Sequence, residues 1–137
     1  MLYAIHMRNV ERFVGDSHDI VYLVSSVGMV QELDLSFVFT DGSAAVPSLT
    51  RFFNDPARLS EVDWSLMRDR YWSNTVDDND RTRRRQAEFL VRDGFPWDAF
   101  SEIATHSDQV KSKVAVILAA HPERAQHPIQ VRAGWYY

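Results

Sequence analysis

Apolar and polar residues alternate along this chain in short blocks, and the blocks have different periods. Ile20–Ser25 opens with IVYLV, apolar and β-branched, between Gly15-Asp16-Ser17 and Ser26, which predicts a buried strand. Met29–Leu33 reads as a short helical turn before a second strand at Ser36–Thr40 (SFVFT). That strand meets a turn signal, Asp41-Gly42-Ser43, which is also placed to cap a helix beginning near Ala44. Trp64, Met67, Arg68 and Tyr71 recur at helical spacing, with Asp63 as N-cap, so a helix is predicted over Asp63–Trp72. The polar segment Ser73–Arg85 separates it from a strand at Gln86–Val91. Strand alternation puts Ala87, Phe89 and Val91 on one face and Glu88 with Leu90 on the other. Phe100–Thr105 is a further strand. Ser107 and Asp108 open a helix whose stripe of Val110, Val114, Ile117 and Leu118 runs to Ala120. Ile129–Arg132 is the last strand. Strands and helices interleave without a βαβ rhythm, so the expected class is α+β.

The length of 137 residues fits a single domain over 1–137, and 45% apolar residues suffice for a core. A net charge of −4 argues against a generally basic phosphate-coating protein and leaves room for a local basic site. With no cysteine, disulfide frameworks, Cys-based zinc sites and Cys nucleophiles are all excluded. The apolar runs fall far short of the ~20 residues of a bilayer span. The opening MLYAIHMRNVERF is apolar first and charged second, unlike a secretory signal, and a soluble cytoplasmic protein is expected. His6, His18, His106, His121 and His127 sit in unrelated settings with no metal-binding spacing, so no metal is expected. GxSxG, GxxxxGK[ST] and GxGxxG are absent, which removes the main support for serine hydrolase, P-loop and Rossmann chemistry.

The run Arg81–Glu88 (RTRRRQAE) follows Asp77, Asp78 and Asp80 and is the most unusual local feature. It has two readings. It is a solvated, self-neutralising charged loop, or its guanidinium groups hold phosphates, which their planar fork suits. In the second reading Glu88 stands where a carboxylate would stabilise positive charge developing on a sugar, as in glycosyl transfer.

RRRQAEFLV, the preceding DRYWSNTVDDNDR, the earlier MLYAIH and FTDGSAA, and the terminal WYY together resemble the DarT family, in family order and over essentially the whole chain. DarT proteins are toxins that ADP-ribosylate DNA bases with NAD and are paired with a macrodomain antitoxin, DarG. The resemblance implies an ADP-ribosyltransferase-like α+β core of small mixed sheets with flanking helices. It implies Glu88 as the catalytic residue and Ser73–Arg85 as the substrate-facing loop. It further implies NAD as co-substrate, single-stranded DNA and a DarG-like antitoxin as partners, and thymine as the modified base. Arg81, Arg84 and Arg85 would engage DNA or NAD phosphates. Tyr71 or Trp72 would offer a stacking face, unless both pack in the core, and Tyr3 and His6 would line the DNA groove, unless Tyr3 is buried. Members often carry His or Asn where Ser43 stands, so Ser43 marks a weakened base or ribose contact. Members also begin upstream of the MLYAIH stretch, with a histidine and an arginine that hold NAD. This sequence is therefore expected to be an N-terminally truncated member. A catalytically inactive derivative that binds DNA or the antitoxin is the alternative.

Overall fold

A computed structural model describes residues 5, 10, 13–124 and 127–136. Tyr3 and His6, two candidate groove residues, lie outside the described residues. The chain divides into two compact units, one built from Met1–Ser26 with Pro96–Tyr137 and the other from Val27–Phe95.

The first unit carries β1 (Tyr22–Val24), β5 (Glu102–Thr105) and β6 (Ile129–Val131) in the order β1-β5-β6. β5 pairs antiparallel with β1 (Leu23 opposite Ile103) and parallel with β6 (Ile103 opposite Ile129). A parallel pair needs a crossover, and α4 (Asp108–Ala119) supplies it. Ser107 caps that helix, its Oγ accepting the Val110 N–H. The apolar line is narrower than the sequence predicts. Val110 is buried and Val114 and Leu118 are half-buried, whereas Ile117 is exposed. Spacing of four residues keeps Val110, Val114 and Leu118 in one row, and Ile117 falls outside it. Ile103, Ala104 and Thr105 of the central strand are buried. The Tyr136 hydroxyl reaches in to donate towards the carbonyls of Ile20 (2.9 Å) and Ala104 (3.2 Å). Burial, with the nearby Tyr22 adding to it, pushes the Tyr136 phenol up to about 12.

The second unit carries α1 (Val27–Glu32), β2 (Phe37–Thr40), β3 (Phe52–Phe53), α2 (Trp64–Arg68), α3 (Arg81–Arg84) and β4 (Phe89–Val91). Its sheet runs β3-β2-β4 and is antiparallel throughout. Phe39 stands opposite both Phe53 and Phe89, so alternation delivers an aromatic from each strand to the same face. There Phe39, Phe53 and Val62 form a buried cluster, flanked by Phe37, Leu59, Met67, Ala87 and Phe89. One parallel strand pair within otherwise antiparallel small sheets, with helices beside them, is the mixed α+β architecture expected from the sequence.

Several element boundaries differ from the sequence pattern. No helix begins near Ala44. The eleven residues between β2 and β3 are spent on consecutive turns, with Pro47, which lacks an N–H, among them. α2 begins after its Asp63 cap, whose carboxylate accepts the Leu66 N–H, but it stops at Arg68. Asp69 is extended and its carboxylate accepts the Tyr71 N–H at 2.9 Å, an Asx-type turn that competes with further helix. The strand expected over Gln86–Val91 shortens to β4. The Gln86 and Ala87 amides are used by the carbonyls of Arg83 and Arg84, which closes the helical turn first. The strands expected at Ile20–Ser25, Phe100–Thr105 and Ile129–Arg132 are likewise trimmed at their ends. Among the described residues no helix is long and apolar enough to cross a membrane, and no group of three or more His, Cys, Asp or Glu is placed to hold a metal.

Candidate active site at the start of β4

Glu88 precedes β4 and is held to the end of β2. Its carbonyl accepts the Thr40 N–H at 2.9 Å, and its own N–H donates to Thr40 Oγ1 at 2.9 Å. Phe89 and Ala87 pack toward the aromatic core, so Glu88 is turned to the opposite face with Leu90, and both are exposed. The backbone is therefore fixed while the carboxylate is accessible, the arrangement a reacting carboxylate needs.

The turn after β2 is tied to α3. Ser43 N–H donates to the Arg83 carbonyl at 2.9 Å, and Arg83 Nη1 reaches Thr50 Oγ1 at 3.3 Å and Asp41 Oδ1 at 3.5 Å. Gly42 makes room for this arginine, because a Cβ at this position would overlap the Arg83 guanidinium and push it aside. Asp41 also receives Arg51, through its backbone N–H at 3.0 Å and its Nε at 2.7 Å. Burial by itself would raise the Asp41 carboxyl. The Arg51 hydrogen bonds and the charges of Arg51 and Arg83 outweigh it and hold the group below the usual carboxylate range. Asp80 is held low mainly by its hydrogen bonds from Arg83, and Asp69 by the Tyr71 amide and then Arg81. A carboxylate with a folded-state pKa below its unfolded value contributes stability above that unfolded value, ~4 for aspartate, and loses it as pH falls. The urea midpoint is therefore expected to drop as pH is lowered from about 5 towards 3. Asp41→Asn should flatten the drop; parallel pH curves for the two proteins would exclude Asp41 as a source.

The candidate phosphate ligands are engaged by the protein itself. Arg81 pairs with Asp69 and donates to the Tyr71 carbonyl, with its guanidinium 5.6 Å from the Tyr71 ring centroid. Arg84 bridges Asp63 and Asp78 and remains part-exposed. Arg85 is buried, donates to the carbonyls of Leu66 and Asp69, and lies 4.1 Å from the Trp72 ring centroid. Arg81, Arg83 and Arg84 thus form a short helix whose cations are answered by aspartates, while Arg85 just after it is answered by carbonyls. Tyr71 is exposed and Trp72 half-buried, both beyond the end of α2. Ser43 is buried beneath the turn. The structure brings Arg81, Arg85, Tyr71 and Trp72 together, and joins Ser43 to Arg83. The sequence pattern did not single out Thr40 or Arg83. Thr40 meets Glu88 across 48 positions and Arg83 meets Asp41 across 42, and the local signals were the turn sequence beside Thr40 and the arginine run itself.

The family profile "DarT: ssDNA thymidine ADP-ribosyltransferase, DarT" matches residues 1–137. The chain belongs to the DarT family. It is 39% identical over 137 residues to a DNA ADP-ribosyl transferase of Thermus aquaticus, and 30% identical over 138 aligned positions to one of Mycobacterium tuberculosis. It spans 58% of the length of each of these relatives. Among solved structures, Thermus sp. 2.9 DarT in complex with NAD+ superposes with a TM-score of 0.89 at 36% identity, covering 99% of this chain and 66% of that one. The same DarT in complex with ADP-ribosylated ssDNA also gives 0.89, at 35% identity, covering 99% and 63%. As a DarT family member the chain takes the family's α+β fold.

Proposed function

We propose that the chain carries the catalytic part of an NAD-dependent ADP-ribosyltransferase that modifies thymine in single-stranded DNA, with residues 1–137 forming one partial catalytic domain. The observation that carries this reading is the 0.89 TM-score to Thermus sp. 2.9 DarT, whose complexes contain NAD+ and ADP-ribosylated ssDNA. The family description adds thymidine as the acceptor. Because the chain covers under two thirds of its curated relatives, the activity is assigned to the protein in which these residues work together with the rest of a DarT fold.

Glu88 acts on NAD. Its carboxylate accepts a hydrogen bond from the 2′-OH of the nicotinamide ribose and stabilises the oxocarbenium character that develops as nicotinamide departs. A ring nitrogen of an unstacked thymine attacks C1″, and its proton passes to a base, for which Glu88 is the available carboxylate. Of the arginines paired with aspartates in the run, Arg84 has the most exposed side chain, 29% against 14% for Arg81 and 15% for Arg83, so phosphate competes there most easily. Arg81 contributes beside the exposed Tyr71, which offers a face for a base. Arg85 and Trp72 contribute more by shaping the segment than by reaching phosphate. In the cell the protein works on DNA in the cytoplasm as the toxin of a pair, with a macrodomain antitoxin as its partner.

The test is a thymine-containing single-stranded oligonucleotide incubated with NAD, read by mass spectrometry. One ADP-ribose per modified strand with release of nicotinamide is the expected product, and an oligonucleotide without thymine should stay unmodified. Binding without modification would replace this reading with that of a non-catalytic DNA-binding module.

A further inference from the structure

Thr40 is fully buried, yet its hydroxyl does more than fill space. In a hydrogen-bonded antiparallel pair, two opposed residues exchange both backbone bonds. Thr40 and Glu88 continue the register of Phe39 with Phe89, and one of the two bonds is present, from Thr40 N–H to the Glu88 carbonyl. The other has been exchanged. The Glu88 N–H donates at 2.9 Å to Thr40 Oγ1, and that hydroxyl donates onward to the Gly42 carbonyl at 2.7 Å. The substitution has a structural cause. Residues 81–84 form α3 and the Gln86 and Ala87 amides close the turn after it rather than running alongside β2, so the ladder must end at residue 88, and the side chain supplies the last acceptor. A second fixed point lies on the same turn, where the Ser43 amide and the Arg83 carbonyl meet at 2.9 Å.

We infer that Thr40 is a positioning residue for Glu88: its hydroxyl, oriented by the Gly42 carbonyl, terminates the β2–β4 ladder and sets the backbone from which the Glu88 carboxylate projects. The inference rests on the reading of Glu88 as the reacting carboxylate. Hydroxyls suit this task because they accept and donate at once. Valine has nearly the same shape and can do neither, whereas serine keeps both functions and loses one methyl group. A carboxylate misplaced by a fraction of an ångström still binds NAD through other contacts, but it no longer matches the charge that develops in the transition state. The effect therefore falls on kcat rather than on KM.

The experiment measures NAD-dependent modification of a thymine-containing oligonucleotide by the full-length protein carrying T40V, T40S, E88Q and the T40V/E88Q pair. T40V is expected to lower kcat at least tenfold with KM for NAD within a factor of about three, and T40S to recover most of the loss. In the E88Q background T40V should change the residual rate by less than twofold, since a residue acting through Glu88 has nothing left to position. Amide exchange gives a readout independent of activity. The Glu88 N–H should exchange faster in T40V, or in T40A should the valine variant not accumulate, than in T40S. A parental kcat in T40V, an equal loss in both backgrounds, or unaltered Glu88 exchange would overturn the role of Thr40. A parental rate in E88Q would instead remove the underlying reading of Glu88, and the exchange result would then stand alone.

Discussion

Glu88→Gln is expected to reduce DNA modification by about 10²–10³-fold, the usual loss when one preorganised electrostatic contact to a developing charge is removed. Glutamine keeps the length and planarity of the side chain and can still accept a hydrogen bond from a ribose hydroxyl, so the difference isolates the negative charge. Stability should change by less than ~0.5 kcal/mol, because Glu88 is exposed and its structural bonds are made by the backbone. Steady-state kinetics with NAD and an oligonucleotide, alongside a thermal melt, provide the check. A glutamine variant working at the parental rate would remove Glu88 from the chemistry; one that is slow but also melts early would signal damage to the β2–β4 junction instead.

Arg85→Ala is expected to destabilise the fold by about 2–4 kcal/mol. The guanidinium satisfies the carbonyls of Leu66 and Asp69 at the end of α2 and covers the Trp72 ring. Truncation leaves those carbonyls without their donor and removes a desolvated cation–π contact. Arg85→Lys should recover part of the loss, since a single nitrogen, Nη1, reaches both carbonyls, as an ammonium group can, whereas the planar stacking on the indole is lost. Urea denaturation of the variant is the measurement. An unchanged midpoint combined with weaker oligonucleotide binding would show that Arg85 serves the DNA and not the fold.

What the chain discloses locally, it discloses well. Ser107 and Asp63 are legible as helix caps because a cap needs only its own next few residues, and both make the expected bond. The outward face of Glu88 follows from the alternation of Ala87, Phe89 and Val91, even though the strand proper is shorter than the alternating run. The arginine run was harder. Its composition allows a solvated loop or a phosphate cradle, and neither anticipates a helix. What decides is where aspartates lie in space. Asp78 and Asp80 pair with Arg84 and Arg83 from within the local sequence, but Asp63 is 21 positions from Arg84 and Asp41 is 42 from Arg83, separations that no local pattern encodes. β3, two residues long, and the parallel pairing of β5 with β6 were invisible for the same reason: their definition comes from the neighbouring strand. Ser43 stood out by its place in the family motif, but its burial follows from the approach of Arg83 over Gly42.

The distance along the chain between Thr40 and Glu88 carries a consequence for biosynthesis. On the ribosome β2 and its turn emerge while the residues of α3 and β4 have still to be added, and sheet pairing between distant segments is late and slow to form. Until residues 83–91 have been made and have closed against β2, the Glu88 backbone has no partner to set its direction. On the proposed reading of Glu88, a nascent or half-folded copy would therefore be inactive, with the reacting carboxylate placed only when this part of the fold is complete. Variants that slow the closure, such as those bearing a side chain at Gly42, would lengthen that silent interval before they altered the finished enzyme's chemistry.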